Sequence, residues 1–392
     1  MKKRSFHIAS ERDIRLGRTT DVYFDRTVEI LKRSKSSSRV KAEFTAKSLP
    51  PDYAWAIMAG LEECLSLLEG LDIDLRAVDE GTVIRPDEPV MTIEGNYIDF
   101  GALETPLLGF LCQASGVATK AARLRIAAGE HTLISFGARR MHPAVSPMIE
   151  RNAFVGGCDG VATVKAGEML GIEPSGTMPH ALVILSGGID EALAGFDKYM
   201  PKDIKRIALV DTFGDEKFEA LAACDTLGRG LYGVRLDTPR SRRGDMYEIV
   251  RELRWELDLR GYSHVRILVS GGLDEAEIED LGEVVDGFGV GTCLSNARVI
   301  DYAMDIVEVD GESRAKRGKM SGEKKLLRCA GCHSDFVVPA RSRARVRCEC
   351  GGKVENLSRD FIKGGRITRR LPAPKDLRKR VLKSLSWIDG RM

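Results

Sequence analysis

Along the middle of the chain, segments with the apolar pattern of a strand alternate with segments with the apolar pattern of a helix. After Gly129, short runs of apolar and β-branched residues are separated by longer segments whose apolar residues have helical spacing. Such alternation is typical of a parallel sheet covered by helices, and its length, about 170 residues, favours an irregular (β/α) barrel. The predicted strands are 131–136, 206–211, 231–237, 265–270 and 284–289, with a weaker one near 160–163, and the clearest predicted helices are 215–227, 245–259 and 274–281.

The first third of the chain has a different pattern. Between residues 73 and 98, apolar residues recur at every second position and are interrupted by turn signals rich in glycine, proline and asparagine. This pattern predicts an antiparallel sheet. Helical spacing predicts one helix over 55–68 and another over 103–128, with an interruption near 115–119. The N-terminal part is therefore predicted to be an α+β unit.

The composition is that of a globular protein without a membrane-spanning segment. A chain of 392 residues is long for one core, so two or three domains are expected. The hydrophobic fraction is 43%, and no apolar stretch approaches the roughly 20 residues that cross a bilayer. The basic start at residues 1–5 is not followed by an apolar core, so no signal peptide is predicted. These features indicate a cytoplasmic protein with reduced thiols and no membrane contact.

The net charge of +2 conceals an uneven distribution. Residues 313–392 contain 23 Lys and Arg against 7 Asp and Glu, a balance of +16 that leaves −14 for the rest of the chain. Because opposite charges attract, the basic tail is expected to dock on the acidic body or on a neighbouring subunit. Nucleic acid is the less favoured partner, because few aromatic residues lie among the arginines to stack on bases.

Four of the nine cysteines have the spacing of a metal site. Two close pairs have 15 residues between them and resemble a Cys₄ zinc site, although the second pair has one intervening residue instead of two. His333 is an alternative ligand that could replace one of the cysteines. A closed site of four thiolates is structural, since it leaves no position for water. The candidate ligands are Cys329, Cys332, Cys348 and Cys350, whereas Cys64, Cys112, Cys158, Cys224 and Cys293 lie in apolar or helical segments and are expected in the core.

Polar residues follow the predicted strands at their carboxyl ends, where barrel enzymes build their active sites. Asp211 and Asp237 occupy equivalent places on neighbouring strands and are candidates for holding Mg²⁺, with capping of the next helix as the alternative. Arg139 and Arg140 offer forked donors for a carboxylate. Two glycine runs after the last strands expose backbone N–H groups to a phosphate, unless they are ordinary turns: Ser270-Gly271-Gly272 and Gly289-Val290-Gly291-Thr292.

His180 ends a short polar run that directly precedes a long apolar stretch. Pro179 suits the first turn of a helix, so Thr177 is expected to cap that helix and His180 to lie in its first turn. Anions collect at such a position, and an imidazole there can act as a nucleophile or a base. A surface histidine beside a helix start is the alternative.

Together these motifs resemble those of the nicotinate phosphoribosyltransferases, which are type II phosphoribosyltransferases. The resemblance is to the compact form of these enzymes, which has a C-terminal zinc knuckle. The resemblance implies an α/β sandwich domain at 1–120, an irregular α/β barrel at 121–300 and a basic segment with the zinc knuckle at 301–392. It also implies an active site at a subunit interface, hence a homo-oligomer of at least two chains. The most specific motifs are Phe136-Gly137-Ala138-Arg139-Arg140 and Gly176-Thr177-Met178-Pro179-His180, and the others are Asp21-Val22-Tyr23, Val234-Arg235-Leu236-Asp237 and the two glycine runs.

The resemblance further implies an activity and a role for each motif. Enzymes of this family make nicotinate mononucleotide from nicotinate and phosphoribosyl pyrophosphate, with coupled ATP hydrolysis, for NAD production. By similarity, ATP phosphorylates His180, while Thr177 and Tyr23, the latter from the partner subunit, frame the nicotinate. Arg139 meets the pyridine carboxylate. By the same similarity, Arg235 and Asp237 face the ribose and pyrophosphate. The 5-phosphate is bound by Gly271, Gly272, Gly291 and Thr292.

Two other functions stay open. A quinolinate phosphoribosyltransferase shares the fold but binds two carboxylates and needs no ATP, and the setting of His180 speaks against it. A nucleic-acid-binding protein would use the zinc knuckle and the basic tail, and its binding would weaken steeply with salt. Substrate assays with and without ATP, and binding assays over a range of salt, distinguish the three.

Overall fold

The structure, a computed structural model, describes residues 6–242 and 244–388, so the basic start at residues 1–5 lies outside it. The chain forms two compact units. The first contains the chain up to Thr119 together with the chain from Arg298 onward, and the second is Lys120–Ala297. Over the described ranges, no helix has both the length and the apolar character needed to cross a membrane.

The bounds of the helices and strands define the architecture of each unit. In chain order the helices are α1 (Glu11–Arg15), α2 (Val22–Arg33), α3 (Leu61–Leu68), α4 (Tyr97–Phe100), α5 (Glu104–Ala128), α6 (Ser146–Gly156), α7 (Val164–Leu170), α8 (His180–Ser186), α9 (Ile189–Tyr199), α10 (Glu216–Leu227), α11 (Met246–Leu259), α12 (Glu275–Leu281), α13 (Thr292–Ser295) and α14 (Pro374–Ile388). Short 3₁₀ turns lie at Gly101–Leu103, Ala138–Arg140 and Gly228–Gly230. The strands are β1 (Arg39–Ser48), β2 (Ala56–Ile57), β3 (Ile73–Val78), β4 (Val83–Ile84), β5 (Pro89–Asn96), β6 (Thr132–Ser135), β7 (Ile207–Leu209), β8 (Gly233–Leu236), β9 (Arg266–Ser270), β10 (Gly287–Val290), β11 (Asp301–Val309), β12 (Glu312–Ser313), β13 (Lys324–Cys329), β14 (Asp335–Pro339), β15 (Val354–Asn356), β16 (Ser358–Lys363) and β17 (Arg366–Ile367).

The first unit is built on a seven-stranded antiparallel sheet with the strand order β12-β11-β1-β5-β3-β16-β17. Its long strand β1 pairs with β11 on one side and with β5 on the other. Side chains such as Phe44, Leu75 and Ile93 are fully buried and pack with the apolar residues of α3 and α5. Each such side chain contributes about 1.5–3 kcal/mol by leaving water. The antiparallel region predicted between residues 73 and 98 is confirmed as β3, β4 and β5.

The helix predicted over 55–68 begins only at Leu61. The residues before it, Ala56–Ile57, pair as β2 with β4 instead. Gly60 separates the two elements with a φ of +91°, and a Cβ at this position would stand 2.6 Å from the carbonyl oxygen of Phe110. Helical spacing alone could not reveal this, because a buried strand and a buried helix start are equally apolar.

Helix α5 runs without the predicted interruption near 115–119. The hydroxyl of Ser115 accepts a hydrogen bond from the N–H of Ala59, and that of Thr119 accepts one from the N–H of Ile57. The hydroxyl of Thr119 also donates to the carbonyl oxygen of Ser115, one turn earlier. The helix therefore continues, because these polar groups find partners inside the unit.

Strands from residues 301–392 lie in the first unit, although a separate C-terminal segment was predicted there. β11, β12, β16 and β17 extend the seven-stranded sheet, and β14-β13-β15 form a small sheet of their own. The carboxylate of Asp335 accepts hydrogen bonds from Arg328 and Arg85, and Arg328 also donates to the carbonyl oxygen of Val83. These bonds connect the small sheet to β4.

The second unit contains a parallel sheet with the strand order β6-β10-β9-β8-β7. Each of the five strands predicted in this region overlaps an observed strand, and the weaker pattern near 160–163 contributes a single bridge from Gly160 to Ile134. The three clearest predicted helices are present as α10, α11 and α12. Each begins after an aspartate whose side chain accepts N–H bonds of the first turn, namely Asp215, Asp245 and Asp274. The predicted α/β fold class is confirmed: a sandwich-like antiparallel sheet forms the first unit, and the region predicted as an irregular (β/α) barrel contains a five-stranded parallel sheet with helices.

Candidate active site

A cavity of about 650 Å³, here called the front cavity, opens at the carboxyl ends of the parallel strands. It lies where β6, β8, β9 and β10 end, the face at which barrel enzymes carry out their chemistry. Residues from several separate motifs lie together in the lining of this cavity: Arg139, Arg140, Thr177, His180, Arg235, Asp237, Ser270, Gly271, Gly272, Gly291 and Thr292.

His180, the first residue of α8, faces two carboxylates. Its Nδ1 lies 3.1 Å from the hydroxyl oxygen of Thr212. Its Nε2 lies 3.9 Å from Oδ2 of Asp211 and 3.9 Å from Oδ2 of Asp237, and 40% of the side chain is exposed. Because Nδ1 is paired with Thr212, Nε2 is the nitrogen available for chemistry.

The start of α8 differs from the prediction in its cap. Pro179, rather than Thr177, occupies the position before the helix, and no side chain caps it. The hydroxyl of Thr177 lies 3.4 Å from the carbonyl oxygen of Met178, so it does not accept from the N–H groups of the first turn. Thr177 lines the front cavity instead.

Asp211 follows β7 and is almost fully buried. Its side chain is 2% exposed, and within the described chain neither carboxylate oxygen has a hydrogen-bond partner. Burial raises the pKa of Asp211 to about 6, with His180 opposing the rise and Asp237 adding to it. A buried polar group without a partner costs about 1–3 kcal/mol, more when it is charged. The capping alternative is wrong for both aspartates, because Asp215 and Asp245 cap the following helices.

Asp237 is held by the end of the neighbouring strand. Its Oδ1 accepts a hydrogen bond of 2.8 Å from the hydroxyl of Ser270, while Oδ2 is the oxygen nearest His180. Gly271 has a φ of +94°, and a Cβ there would lie 3.0 Å from the same Oδ1. This close approach requires glycine, so the Gly271 turn also shapes the carboxylate side of the cavity.

Phe136, which the sequence marks only as the first residue of a motif and without a role of its own, lines the front cavity. The guanidinium carbon of Arg235 lies 5.7 Å from the centroid of its ring. Burial lowers the pKa of Arg235, and the carboxylates of Asp237 and Asp211 oppose the change. The ring therefore packs beside a buried cation. The sequence signal for Phe136 was its position in the Phe-Gly-x-Arg-Arg motif. In that motif only the arginines are charged, so only they pointed to a ligand.

Gly289 is expected to tolerate no side chain, because a Cβ there would stand 2.3 Å from Cδ2 of Phe136. The ring would have to move, so we expect Gly289→Ala to destabilise the protein by about 1–3 kcal/mol, as overpacking does. Urea unfolding measures the change. Gly195→Ala is the matched control, since nothing lies within 4 Å of the added atom. Equal stability of the two variants would contradict the packing argument.

Buried Glu219 shapes the loop after β7 and was not predicted. Its carboxylate accepts hydrogen bonds from the backbone N–H groups of Thr212, Phe213 and Gly214, at 3.1, 2.8 and 2.7 Å. These bonds hold Thr212 where its hydroxyl meets His180. No local pattern marks this glutamate, because an acidic residue in the first turn of a helix is ordinary.

Tyr23 belongs to the first unit, whereas the front cavity is formed by the second. It lies in the first turn of α2, after Asp21, and is 57% exposed, with its ring 4.3 Å from that of Phe24. The role that the resemblance gives it, from a partner subunit, stays a prediction.

The four cysteines of the predicted metal site converge in the first unit. Their Sγ atoms all lie within 4.8 Å of one another, and the shortest separations are 3.3 Å for Cys332–Cys348 and 3.4 Å for Cys329–Cys350. Zinc–sulfur bonds of about 2.3 Å in a tetrahedron place the sulfurs about 3.8 Å apart. The group therefore fits a metal ion with four thiolate ligands.

His333 has another role than that of a substitute ligand. Its ring stacks on that of Trp387 in α14, with centroids 4.3 Å apart and an interplanar angle of 15°. The cysteine with the unusual spacing, Cys350, joins the sulfur group instead. The geometry favours the four-cysteine set over a set with the histidine.

Family models for quinolinate phosphoribosyl transferase match this chain in two consecutive parts. The N-terminal domain model matches residues 21–115 and the C-terminal domain model matches residues 117–305. Together with the front cavity at the carboxyl ends of a parallel sheet, they define the class of protein as a phosphoribosyltransferase with a two-part fold.

Curated relatives and solved structures identify the family within this class of phosphoribosyltransferases. A nicotinate phosphoribosyltransferase of Mycobacterium tuberculosis is 30% identical over 353 residues, which cover 79% of this chain and 74% of the relative. A crystal structure of nicotinate-nucleotide pyrophosphorylase from Pyrococcus furiosus has 48% identity and a TM-score of 0.96, with 100% of both chains covered. Human nicotinic acid phosphoribosyltransferase shares the fold, with 22% identity, a TM-score of 0.79 and 94% and 93% of the two chains covered. The chain belongs to the nicotinate phosphoribosyltransferase family.

Proposed function

We propose that this chain makes nicotinate mononucleotide and pyrophosphate from nicotinate and phosphoribosyl pyrophosphate, coupled to ATP hydrolysis through a phosphohistidine at His180, in NAD biosynthesis. The observation that carries the proposal is the position of His180 in the front cavity. Its Nε2 faces Asp211 and Asp237, and the same cavity is lined by three arginines and two glycine turns. Family membership supports the same substrate class.

The transfer step asks the protein for positioning and charge stabilisation. Departure of pyrophosphate leaves positive charge on the ribose C1, and the lone pair of the pyridine nitrogen then forms the new C–N bond. Arg139 and Arg140 hold the pyridine carboxylate, and Arg235 with Asp237 faces the ribose and pyrophosphate. Fixed charges in a shaped cavity can supply most of the acceleration for such a step.

The 5-phosphate is assigned to the glycine turns. Gly271 and Gly272 have φ values of +94° and +72°, and Gly291 directly precedes α13. Backbone N–H groups at such turns can surround an anion without a side chain in the way. Thr292 adds a hydroxyl at the same place.

ATP coupling is assigned to Nε2 of His180. This nitrogen attacks the γ-phosphorus of ATP, so that an N–P bond forms, the bond to the bridging oxygen breaks and ADP leaves. For Nε2 to hold its lone pair, Nδ1 must carry the proton and donate it to the hydroxyl oxygen of Thr212. Glu219 supports this contact indirectly, since it holds the backbone of Thr212 and so positions its hydroxyl.

Mg²⁺ fits the carboxylates of the front cavity, because the oxygens of Asp211 lack partners within the described chain and hard cations prefer such ligands. Asp211 and Asp237 would hold it. When bound, the ion neutralises the charge of a polyphosphate.

The proposal includes a homo-oligomer of at least two chains, with Tyr23 of the partner subunit completing the nicotinate site. The exposed position of Tyr23 on α2 supports it. We also propose a cytoplasmic location, and nucleic acid is not among the proposed partners.

Zn²⁺ is the proposed ion of the four-cysteine group, where it has a structural role. Removing it with a chelator is expected to unfold the small sheet β14-β13-β15 before the rest of the protein, since sulfurs held so close repel once they are ionised without the metal. Scanning calorimetry with zinc analysis detects an early transition. Cys332→Ser should reproduce that transition and Cys112→Ser should not. An unchanged thermal profile in the zinc-free protein would argue against the metal site.

A quinolinate phosphoribosyltransferase is the second candidate, and the family models that match the chain favour it. The deciding experiment mixes the purified protein with Mg²⁺, phosphoribosyl pyrophosphate and either nicotinate or quinolinate, with and without ATP, and identifies the products. Nicotinate mononucleotide formed from nicotinate, faster with ATP and with ADP released, supports the proposal. Product from quinolinate alone, with carbon dioxide released, supports the second candidate.

A further inference from the structure

A second cavity of about 650 Å³, here called the rear cavity, opens at the other end of the parallel sheet. Its lining includes residues at which strands begin, such as Thr132 of β6 and Arg266 of β9. Phe136 and Thr177 line both cavities, so they form part of the wall between them. The rear cavity has the volume of a small-molecule site, about 300–1,000 Å³.

The rear cavity has an apolar floor. Ile134, Ile207 and Leu268 form a small buried cluster, and Phe136 packs against it. All four residues line the cavity, as does the half-exposed ring of Tyr232. A floor of aliphatic and aromatic groups suits the flat face of a ring.

The charges around the rear cavity that lack an oppositely charged partner are negative in sum. Of its two cationic side chains, Arg266 is paired with Asp286 at 2.6 Å, whereas Lys205 donates to the neutral hydroxyl of Tyr232 and keeps one positive charge. Three further carboxylates in its lining make no ion pair or hydrogen bond within the described chain, and all three are exposed: Glu130, Glu173 and Asp203.

The front cavity has the opposite charge. Arg139, Arg140 and Arg235 line it, against the carboxylate of Asp237 in the lining and that of buried Asp211 beside His180. An anion is therefore attracted to the front cavity and repelled by the rear one, although the two share a wall. A ligand of the rear cavity must be apolar in its body and positive in charge.

We propose that the rear cavity binds a small organic cation with a flat ring, of the class of N-alkylated pyridines and protonated aromatic amines. Its ring lies on the apolar floor against Phe136, and its charge is balanced by Glu130, Glu173 and Asp203. Association is non-covalent, with cation–π attraction to the aromatic rings adding to the carboxylate field. This site is separate from the front cavity and does not rest on the proposed function.

Three probes separate the two requirements of the site. 1-Methylpyridinium has the ring and the charge, toluene has the same shape without the charge, and tetramethylammonium has the charge without the ring. Calorimetric titration of the full chain at low salt should give 1-methylpyridinium a Kd at least about fivefold below those of the other two. Comparable Kd values for all three probes, or no binding of 1-methylpyridinium at millimolar concentration, would overturn the proposal.

Variants locate the site. The double substitution Glu173→Gln and Asp203→Asn should raise the Kd of 1-methylpyridinium about tenfold, since it removes two of the three unpaired charges. Both residues are exposed, so the fold should persist, and a thermal transition checks it. Glu191→Gln with Asp225→Asn removes two exposed charges of the same unit outside the cavity and should leave the Kd unchanged. The same Kd in both double variants would show that the cation binds elsewhere and would refute the assignment.

Discussion

His180→Ala is expected to abolish ATP hydrolysis while leaving weak phosphoribosyl transfer that no longer responds to ATP. Alanine has no nitrogen to accept the γ-phosphoryl group, so ADP release should fall by at least about 10³-fold. The arginines, the aspartates and the glycine turns remain, and they continue to position the sugar and the pyridine. Parallel measurement of ADP and nicotinate mononucleotide, at several ATP concentrations, separates the two effects.

Two further variants make this result specific. His264→Ala removes an exposed histidine that does not line the front cavity, and it should change neither product. Thr212→Val keeps the imidazole but removes the partner of Nδ1, so ADP release should fall by roughly tenfold at most, the value of one hydrogen bond. ATP hydrolysis at the normal rate in His180→Ala would exclude the phosphohistidine.

Asp211→Asn is expected to make the protein more stable and much less active. Burial raises the pKa of Asp211 to about 6, from 3.8 for the unperturbed group. The folded state therefore binds this proton more tightly than the unfolded chain does, so the contribution of Asp211 to the free energy of unfolding is most favourable below pH 4 and is lost as the pH rises through 6. At pH 7 an uncharged asparagine should recover on the order of 1–3 kcal/mol, measured by urea unfolding.

The loss of activity in Asp211→Asn has a different cause. An amide cannot replace a carboxylate beside a cation and a polyphosphate, so kcat/KM should fall by roughly 10²–10³-fold.

The matched control for Asp211→Asn is Asp215→Asn, which changes a carboxylate of the same loop that caps α10. Asparagine caps as well as aspartate does, so stability and activity should hardly change. If both variants lost the same stability, Asp211 would be a structural residue and not a strained part of the active site.

Much of the fold could be predicted from local sequence. The five strands of the parallel sheet are marked by runs such as Val265–Ser270, because strands buried on both faces must be apolar throughout. Helices α10, α11 and α12 begin after aspartates whose side chains bond to the first turn, a signal that needs no tertiary information.

The errors lie where an apolar run could form either element or where a polar group is satisfied by a distant partner. Ala56–Ile57 forms a strand because β4 offers it hydrogen bonds, and Ser115 stays in α5 because Ala59 needs its hydroxyl. Such partners are far apart in sequence, so no window of residues contains the deciding information.

Motifs in the sequence predicted many of the residues that line the front cavity, but not their geometry. Motifs named His180, Asp211 and Asp237, but nothing in the sequence says that one imidazole nitrogen faces both carboxylates at 3.9 Å. Nor does it mark Glu219 as the group that holds the loop of Thr212, since its three bonds depend on how that loop is folded.

The sequence by itself determined the alternation of strands and helices, the starts of α10, α11 and α12, the glycine turns and the spacing of the four cysteines. These are properties of residues close together in the chain, set by backbone conformation and by the period of apolar side chains. Only the tertiary structure decided which groups are buried without partners, which nitrogen of His180 is available and that two cavities of opposite charge share Phe136 as a wall. The physical reason is that burial and electrostatic fields depend on distances through space, which strands far apart in sequence establish only when they pair.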